Sequence, residues 1–247
     1  MKIGILGAGS IGSTLAHKLA AAGHEVKVAN SRGPETIAAD ALTTGAAAVK
    51  AADVVQDVEV LITSIPLRGM PGIKPLIADL SRDAIIIDPS NYYPARDGHV
   101  QALEEGQVES LWVTEQLGRP VVKAWNAITS GTFEAKGTPA GDPNRLAIPV
   151  AADDDSSRET AMTLVEETGF DALDAGSLAD SWRQQPGAPA YCTELTLEEM
   201  PAALAAADKD VLPGRRDKAM AVIGKRMEAG DSLTVADLVA INRAIYA

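Results

Sequence analysis

The chain has 247 residues, 46% of them hydrophobic, with a single cysteine and a formal net charge of −12 at pH 7; this suits one large α/β domain, or a domain with a short appendage, around a packed core. The acidic balance disfavours nucleic acid, whose phosphates need a basic surface, and Cys192 alone excludes an intrachain disulfide or a multi-cysteine zinc site. Apolar runs such as "VEVLITSIP" are strand-sized, far short of a bilayer span, and Lys2 leads straight into a strand rather than a leader's apolar core, so a cytoplasmic protein with no membrane partner is expected.

Residues 2–7 read as the first strand, rich in Ile and Leu. It runs directly into Gly7, Gly9 and Gly12, a G-x-G-x-x-G that opens the helical stretch "IGSTLAHKLAAAG". A second strand over 24–30 completes a βαβ unit. "AAAV" at 46–49 is a short strand followed by a helix over 50–57, and further strands fall at 58–66, 84–89, 120–125 and 146–151. "SSRETAMTLVEETG" reads as a helix opened by a Ser156-to-Glu159 capping box, with Gly169 past its end. The strand "FDALDAG" closes this part near residue 178. The βαβα rhythm predicts a Rossmann-like, doubly wound and mostly parallel sheet over residues 1–180. Beyond Trp182 the turn-rich "SWRQQPGAPAYCTE" gives way from Thr196 to a helical pattern interrupted around Pro213-Gly214. Residues 181–247 therefore read as a helical appendage that packs on the sheet domain or helps to form a homodimer.

The setting of the glycine motif, strand before and helix after, points to a dinucleotide site. Gly7 permits the tight turn, Gly9 lets a pyrophosphate approach the backbone, and Gly12 lets helix and strand pack closely. The helix N-terminus offers N–H donors and partial positive charge to the phosphates. An NAD site carries Asp or Glu at the end of the second strand, to bind the ribose 2′-hydroxyl. Here that end reads Asn30-Ser31-Arg32, hydrogen-bond donors suited to a 2′-phosphate, with Arg32 able to grip it bidentately. The cofactor expected from these residues is NADP(H).

"GILGAGSIGSTLAHKLAAAGHEVKVANSRGPE", "TSIP" at 63–66, "VVKAWN" at 121–126 and "DDDSSRETAMTLVEETGFDALDAGSL" together resemble the NADPH-dependent coenzyme F-420 reductase family over roughly residues 1–182. The same stretch is similar to the cytosolic NADPH-flavin domain of membrane ferric reductases of the six-transmembrane prostate type. The resemblance implies direct hydride transfer between NADP(H) and coenzyme F-420 or a flavin. It implies that Gly9, Ser10 and Ile11 hold the pyrophosphate and that Ser31 with Arg32 holds the 2′-phosphate. Ser64, Ile65 and Pro66 would lie along the nicotinamide half, as would Ala124, Trp125 and Asn126, with Asn91, Tyr92 and Tyr93 as further pocket lining. Where the family often has a basic residue after the arginine, this chain has Glu35-Thr36. Trp125 stands where relatives usually carry phenylalanine, which would put a wider ring beside the acceptor.

Such a reaction asks little acid-base chemistry of the protein, because both reactants are redox cofactors and the enzyme's task is to hold two rings in register. No catalytic acid or base is assigned, and no histidine sits in a motif. Lys123 faces either the site or the opposite side of the sheet, since side chains alternate along a strand. Asp153-Asp154-Asp155 reads as dipole-complementing acid before a helix rather than a metal site. Cys192 reads as a small buried thiol. Two other readings share the Rossmann half: an NADP-dependent hydroxyacid or imine dehydrogenase, and a non-catalytic NADPH-binding sensor.

Overall fold

In the computed structural model, which describes residues 1–246, eight strands carry the architecture. They are β1 Lys2–Leu6, β2 Glu25–Ala29, β3 Ala47–Ala48, β4 Val60–Thr63, β5 Ile85–Asp88, β6 Val122–Lys123, β7 Ala147–Val150 and β8 Asp171–Asp174. The first six form one parallel sheet in the order β3-β2-β1-β4-β5-β6. β7 and β8 pair in parallel beside it. An antiparallel bridge between Lys123 and Ala151, with N–H···O distances of 2.8 and 3.0 Å, joins this pair to β6.

Strand side chains alternate between two apolar layers, as the two-residue period of a strand requires. Ile3, Ile5, Val60, Ile62 and Ile87 enter one core with Leu15 and Leu19 of the helix Ser10–Ala21 and Leu164 and Val165 of the helix Asp155–Glu167. Leu6, Leu61 and Ile86 enter the other, against Trp112, Val113 and Leu117 of the helix Glu109–Leu117. The sheet is covered on both faces.

Three local expectations are corrected. The last long helix of the sheet region is capped by Asp154, whose carboxylate accepts from Ser157 N at 2.8 Å, and not by Ser156. A carboxylate at the N-cap answers both the orphan N–H groups and the dipole. β6 stops at Lys123 because Trp125 sits in the left-handed region at φ 57°, where an extended strand cannot continue. Pro213 and Gly214 do not interrupt a helix; they lie in the first turn of Leu212–Glu228, where proline's missing N–H costs nothing. The breaks fall on either side, after Met200–Ala205 and before Val235–Tyr246.

The C-terminal segment packs on the sheet region through shared apolar clusters. Tyr191, Cys192, Leu212, Ile241 and Tyr246 bury against Ala127 with Tyr93 at the margin, while Ala190, Met200 and Leu204 bury against Ala147.

Candidate functional site

The order of strands reverses about β1, whose neighbours are β2 and β4, and in open α/β sheets a crevice for ligands opens at that point beyond the carboxyl ends. Two glycines form it. Gly7 has φ +111°, and a Cβ there would stand 2.0 Å from Ser64 O; a Cβ on Gly12 would stand 1.9 Å from Gly7 O. The turn after β1, the helix start and the loop after β4 are thus in backbone contact, which only hydrogen at those Cα atoms allows. Gly9, by contrast, faces open space. It is the N-cap of the helix Ser10–Ala21 and offers no side-chain cap, leaving the first-turn N–H groups aimed outward for an anion.

From this point a cleft of about 430 Å³ runs over the strand ends. Gly9, Ser10 and Ile11 line one part of it, and Ser64, Ile65 and Pro66 the next. Ser90, Asn91 and Tyr93, from the loop after β5, continue the lining with Asn126. The C-terminal segment contributes Tyr191, Cys192, Met220, Ile223, Leu238, Asn242 and Tyr246. Among the described residues, Arg96 is the only charged side chain of the lining. It is already engaged, donating to Asp97 at 2.8 Å and to Asn91 O. A larger groove of about 780 Å³ lies on the outside of the first helix, among His17, Lys18, Glu134 and Glu167. It contains none of the strand-end loops, so the smaller cleft is the candidate site.

Asn30 builds the turn after β2. Its Oδ1 accepts from Arg32 N and Gly33 N, each at 2.9 Å, and its Nδ2 donates to Thr36 Oγ1 at 2.9 Å. Those bonds leave Ser31 and Arg32 on the surface, and the Arg32 guanidinium has no hydrogen bond or ion pair with any described residue. An open helix N-terminus and an uncommitted guanidinium past β2 are the features a phosphorylated dinucleotide requires.

Comparison with known proteins agrees with this geometry. Residues 2–92 match the family model described as NADP oxidoreductase, coenzyme F420-dependent. The chain is 39% identical over 107 residues to the protein YjhV of Escherichia coli strain K12, spanning 43% of this chain and 76% of YjhV. The chain belongs to the F420-dependent NADP oxidoreductase family. It is an NADP-dependent oxidoreductase. Among solved structures it resembles the hypothetical protein SMa0349 of Sinorhizobium meliloti at 28% identity and TM-score 0.68, over 79% of this chain and 95% of that one. A candidate F420-dependent NADP reductase of Arthrobacter sp. FB24 shares the fold, at 22% identity and TM-score 0.56 over 73% and 87% of the two chains.

Of the family residues read from the sequence, Gly9, Ser10, Ile11, Ser64, Ile65, Pro66, Asn91 and Asn126 come together on the cleft. Gly7 and Gly12 stand just behind it as its close-packed frame. Three expectations change. Ala124 is fully buried in the core beneath the site and presents no side chain to a ligand. Trp125 does line the cleft, but it is 1% exposed, with its indole N–H 3.4 Å from Thr168 Oγ1, so the ring is packed largely in the core and forms floor rather than a widened acceptor pocket. Tyr92 is buried too, its hydroxyl 3.0 Å from both Gly98 O and Glu104 Oε1 as acceptors for its one hydrogen. Tyr93 alone of that pair reaches the cleft.

Beneath the floor lies a polar cluster that strand alternation left undecided. Lys123 points inward, fully buried, 2.9 Å from Asp88 and donating also to Ser90 O. Glu109 is buried next to them with Oε2 unpartnered. Burial pushes its carboxyl up to about 7, Lys123 pulling it down and Asp88 pushing it up less strongly. Asn91, Asn126 and Gln184 lock the floor together: Asn91 Nδ2 donates to Asn126 O at 3.0 Å, and Asn126 Nδ2 donates to Gln184 O at 2.8 Å.

The cleft wall contributed by the C-terminal segment was missed in the sequence. Tyr191, Cys192, Asn242 and Tyr246 belong to no motif, and apolar spacing at 220, 223 and 238 reads equally well as an ordinary helix face. Burial pushes the Cys192 thiol up to about 12, so it stays protonated and unreactive. His99 stands outside the site, paired with Glu104 at 2.6 Å.

Proposed function

We propose that this oxidoreductase transfers a hydride between NADP(H) and a planar tricyclic acceptor, coenzyme F-420 or a flavin. The observation that carries the reading is the make-up of the cleft. It begins at the glycine-rich helix start and ends in a wall of Tyr93, Tyr191, Tyr246, Met220, Ile223 and Leu238, with no carboxylate or lysine side chain in its lining among the described residues. An apolar, aromatic slot beside a dinucleotide site suits a flat ring. A carbonyl reductase built on a Lys or Asp acid would place that group in the cleft, whereas Lys123, Asp88 and Glu109 all lie outside its lining.

Gly9, Ser10 and Ile11 would hold the pyrophosphate through backbone N–H groups, and Ser31 with Arg32 would hold the 2′-phosphate. Ser64, Ile65 and Pro66, with Asn91 and Asn126, would flank the nicotinamide half. When bound, NADPH supplies the hydride. The chain's own residues orient the two reactants, and the apolar side chains of the C-terminal helices keep water from the space between them.

The test is transfer of deuterium from C4-labelled NADPH to F-420, FMN and FAD, run beside small ketones and imines. Label in a deazaflavin or flavin is the expected result. Label in a ketone or imine alone, with both tricyclic acceptors untouched at saturation, replaces this reading with that of a dehydrogenase. No oxidation of NADPH by any acceptor leaves a nucleotide-binding sensor.

A further inference from the structure

Two tyrosines far apart in the chain meet inside the cleft. Tyr93, from the loop after β5, and Tyr191, from the turn-rich stretch before the C-terminal helices, both line it, with their hydroxyl oxygens 2.8 Å apart. Tyr191 is buried, 7% exposed, whereas Tyr93 is half-buried. The contact is built rather than incidental. Cys192, next in the chain, is held at φ +55°, a conformation costly for a side chain of that kind. Two hydrogen bonds keep it there: its N–H donates to Ala127 O at 2.9 Å and its carbonyl accepts from Asn242 Nδ2 at 3.2 Å. Behind the pair, the Tyr246 ring lies 6.4 Å from that of Tyr191, and the Arg96 guanidinium covers the Tyr93 ring at 5.5 Å.

Two phenols carry two O–H donors, and the bond between them uses one. Either hydroxyl can be the donor across 2.8 Å; we assign that role to Tyr191, the deeper of the two, beside which the Cys192 sulfur is only a weak acceptor. That leaves the Tyr93 O–H to be directed into the cleft. A donor whose own oxygen already accepts a hydrogen bond is polarised and donates more strongly. Burial raises both phenols above their ordinary range, so the pair remains protonated at neutral pH.

We infer that the Tyr93–Tyr191 hydroxyl pair is a hydrogen-bond donor that recognises a carbonyl oxygen on the hydride acceptor. Tyr93 makes the contact and Tyr191 is a positioning residue behind it. This rests on the reading of the cleft as the acceptor's site. It adds that the acceptor must present a carbonyl edge toward the C-terminal wall, and that a ring with only hydrocarbon there is excluded.

The test measures binding and vibrational spectra, in the presence of NADP⁺, with riboflavin and with an 8-hydroxy-5-deazaflavin as probes. Tyr93→Phe should weaken both by about tenfold and Tyr191→Phe by about threefold, the range of one hydrogen bond and of its support. The carbonyl stretch of the bound ring should rise in Tyr93→Phe toward its value in an aprotic solvent, while NADPH affinity stays unchanged. A purely structural tyrosine would not move that band. An unaltered band and an unaltered Kd in Tyr93→Phe overturn the assignment. If neither ring binds the parent protein, the proposed acceptor class is wrong. Cyclopentanone then replaces the rings in the same measurement: a band shift lost in Tyr93→Phe sustains the hydroxyl assignment, and a band indifferent to the substitution overturns it.

Discussion

Arg32 and Glu109 show how differently one charge can be employed. Arg32 is exposed and uncommitted beyond β2, so its removal costs the fold little and the ligand much. Arg32→Ala should weaken NADPH binding by roughly 1.5–3 kcal/mol, the range for hydrogen bonds to a charged group, and leave NADH nearly unchanged. Titration of both nucleotides against parent and variant checks this, and equal affinities in the parent would remove the 2′-phosphate assignment. Glu109 is the reverse, a buried carboxyl held up to about 7 from an ordinary 4.5. A carboxyl raised by folding keeps its proton where the unfolded chain has lost it. Stability is therefore fully present below the unfolded value and falls as pH rises through about 7. Glu109→Gln removes that dependence. Its melting temperature relative to the parent should climb between about pH 5 and pH 8, by an amount corresponding to at most about 3 kcal/mol. A constant difference across that window would show that the carboxyl is not the group responsible.

At the level of elements, the start of the first helix separates folding from binding within one motif. A methyl on Gly12 would lie 1.9 Å from Gly7 O, so Gly12→Ala must push the helix away from the β1 and β4 loops. It should cost about 1–3 kcal/mol of stability, as overpacking does. Gly9 has φ −78° and open space around its Cα. Gly9→Ala should stay within about 1 kcal/mol of the parent, the effect of a poorer N-cap. It should still lose NADPH affinity, because the methyl occupies the pyrophosphate's path to the backbone. Thermal melts and nucleotide titrations on the two variants test the contrast. Equal loss of stability in both would mean that the glycines act only in packing.

For the whole molecule, the C-terminal segment is part of the site. Its tyrosines, Met220 and Leu238 close the cleft, and its core is shared with Ala127 and Ala147 of the sheet region. A homodimer is a proposal, probed at Met227, which is 63% exposed on the helix Leu212–Glu228. Sedimentation of the full chain should give a dimer that Met227→Asp weakens. A monomer at micromolar concentration in the parent counts against it. Among the described residues no helix is long and apolar enough to cross a membrane.

What could be read from the sequence was whatever is encoded locally. The six-strand parallel sheet, the turn at Gly7, the open helix start and the non-acidic end of β2 each depend on residues within a few positions of one another, so period and spacing carry them. Asn30 was placed at the right turn but not with its role, because its bonds to Arg32, Gly33 and Thr36 look the same in sequence as a free donor. Only tertiary structure decided the rest. Trp125 turns into the core because a left-handed residue follows β6, Lys123 turns to Asp88 because β5 and β6 are neighbours, and Tyr93 meets Tyr191 across 98 residues of chain. None of these has a periodicity, since each depends on where two distant backbones cross, and a contact of that kind leaves no spacing for a sequence to display.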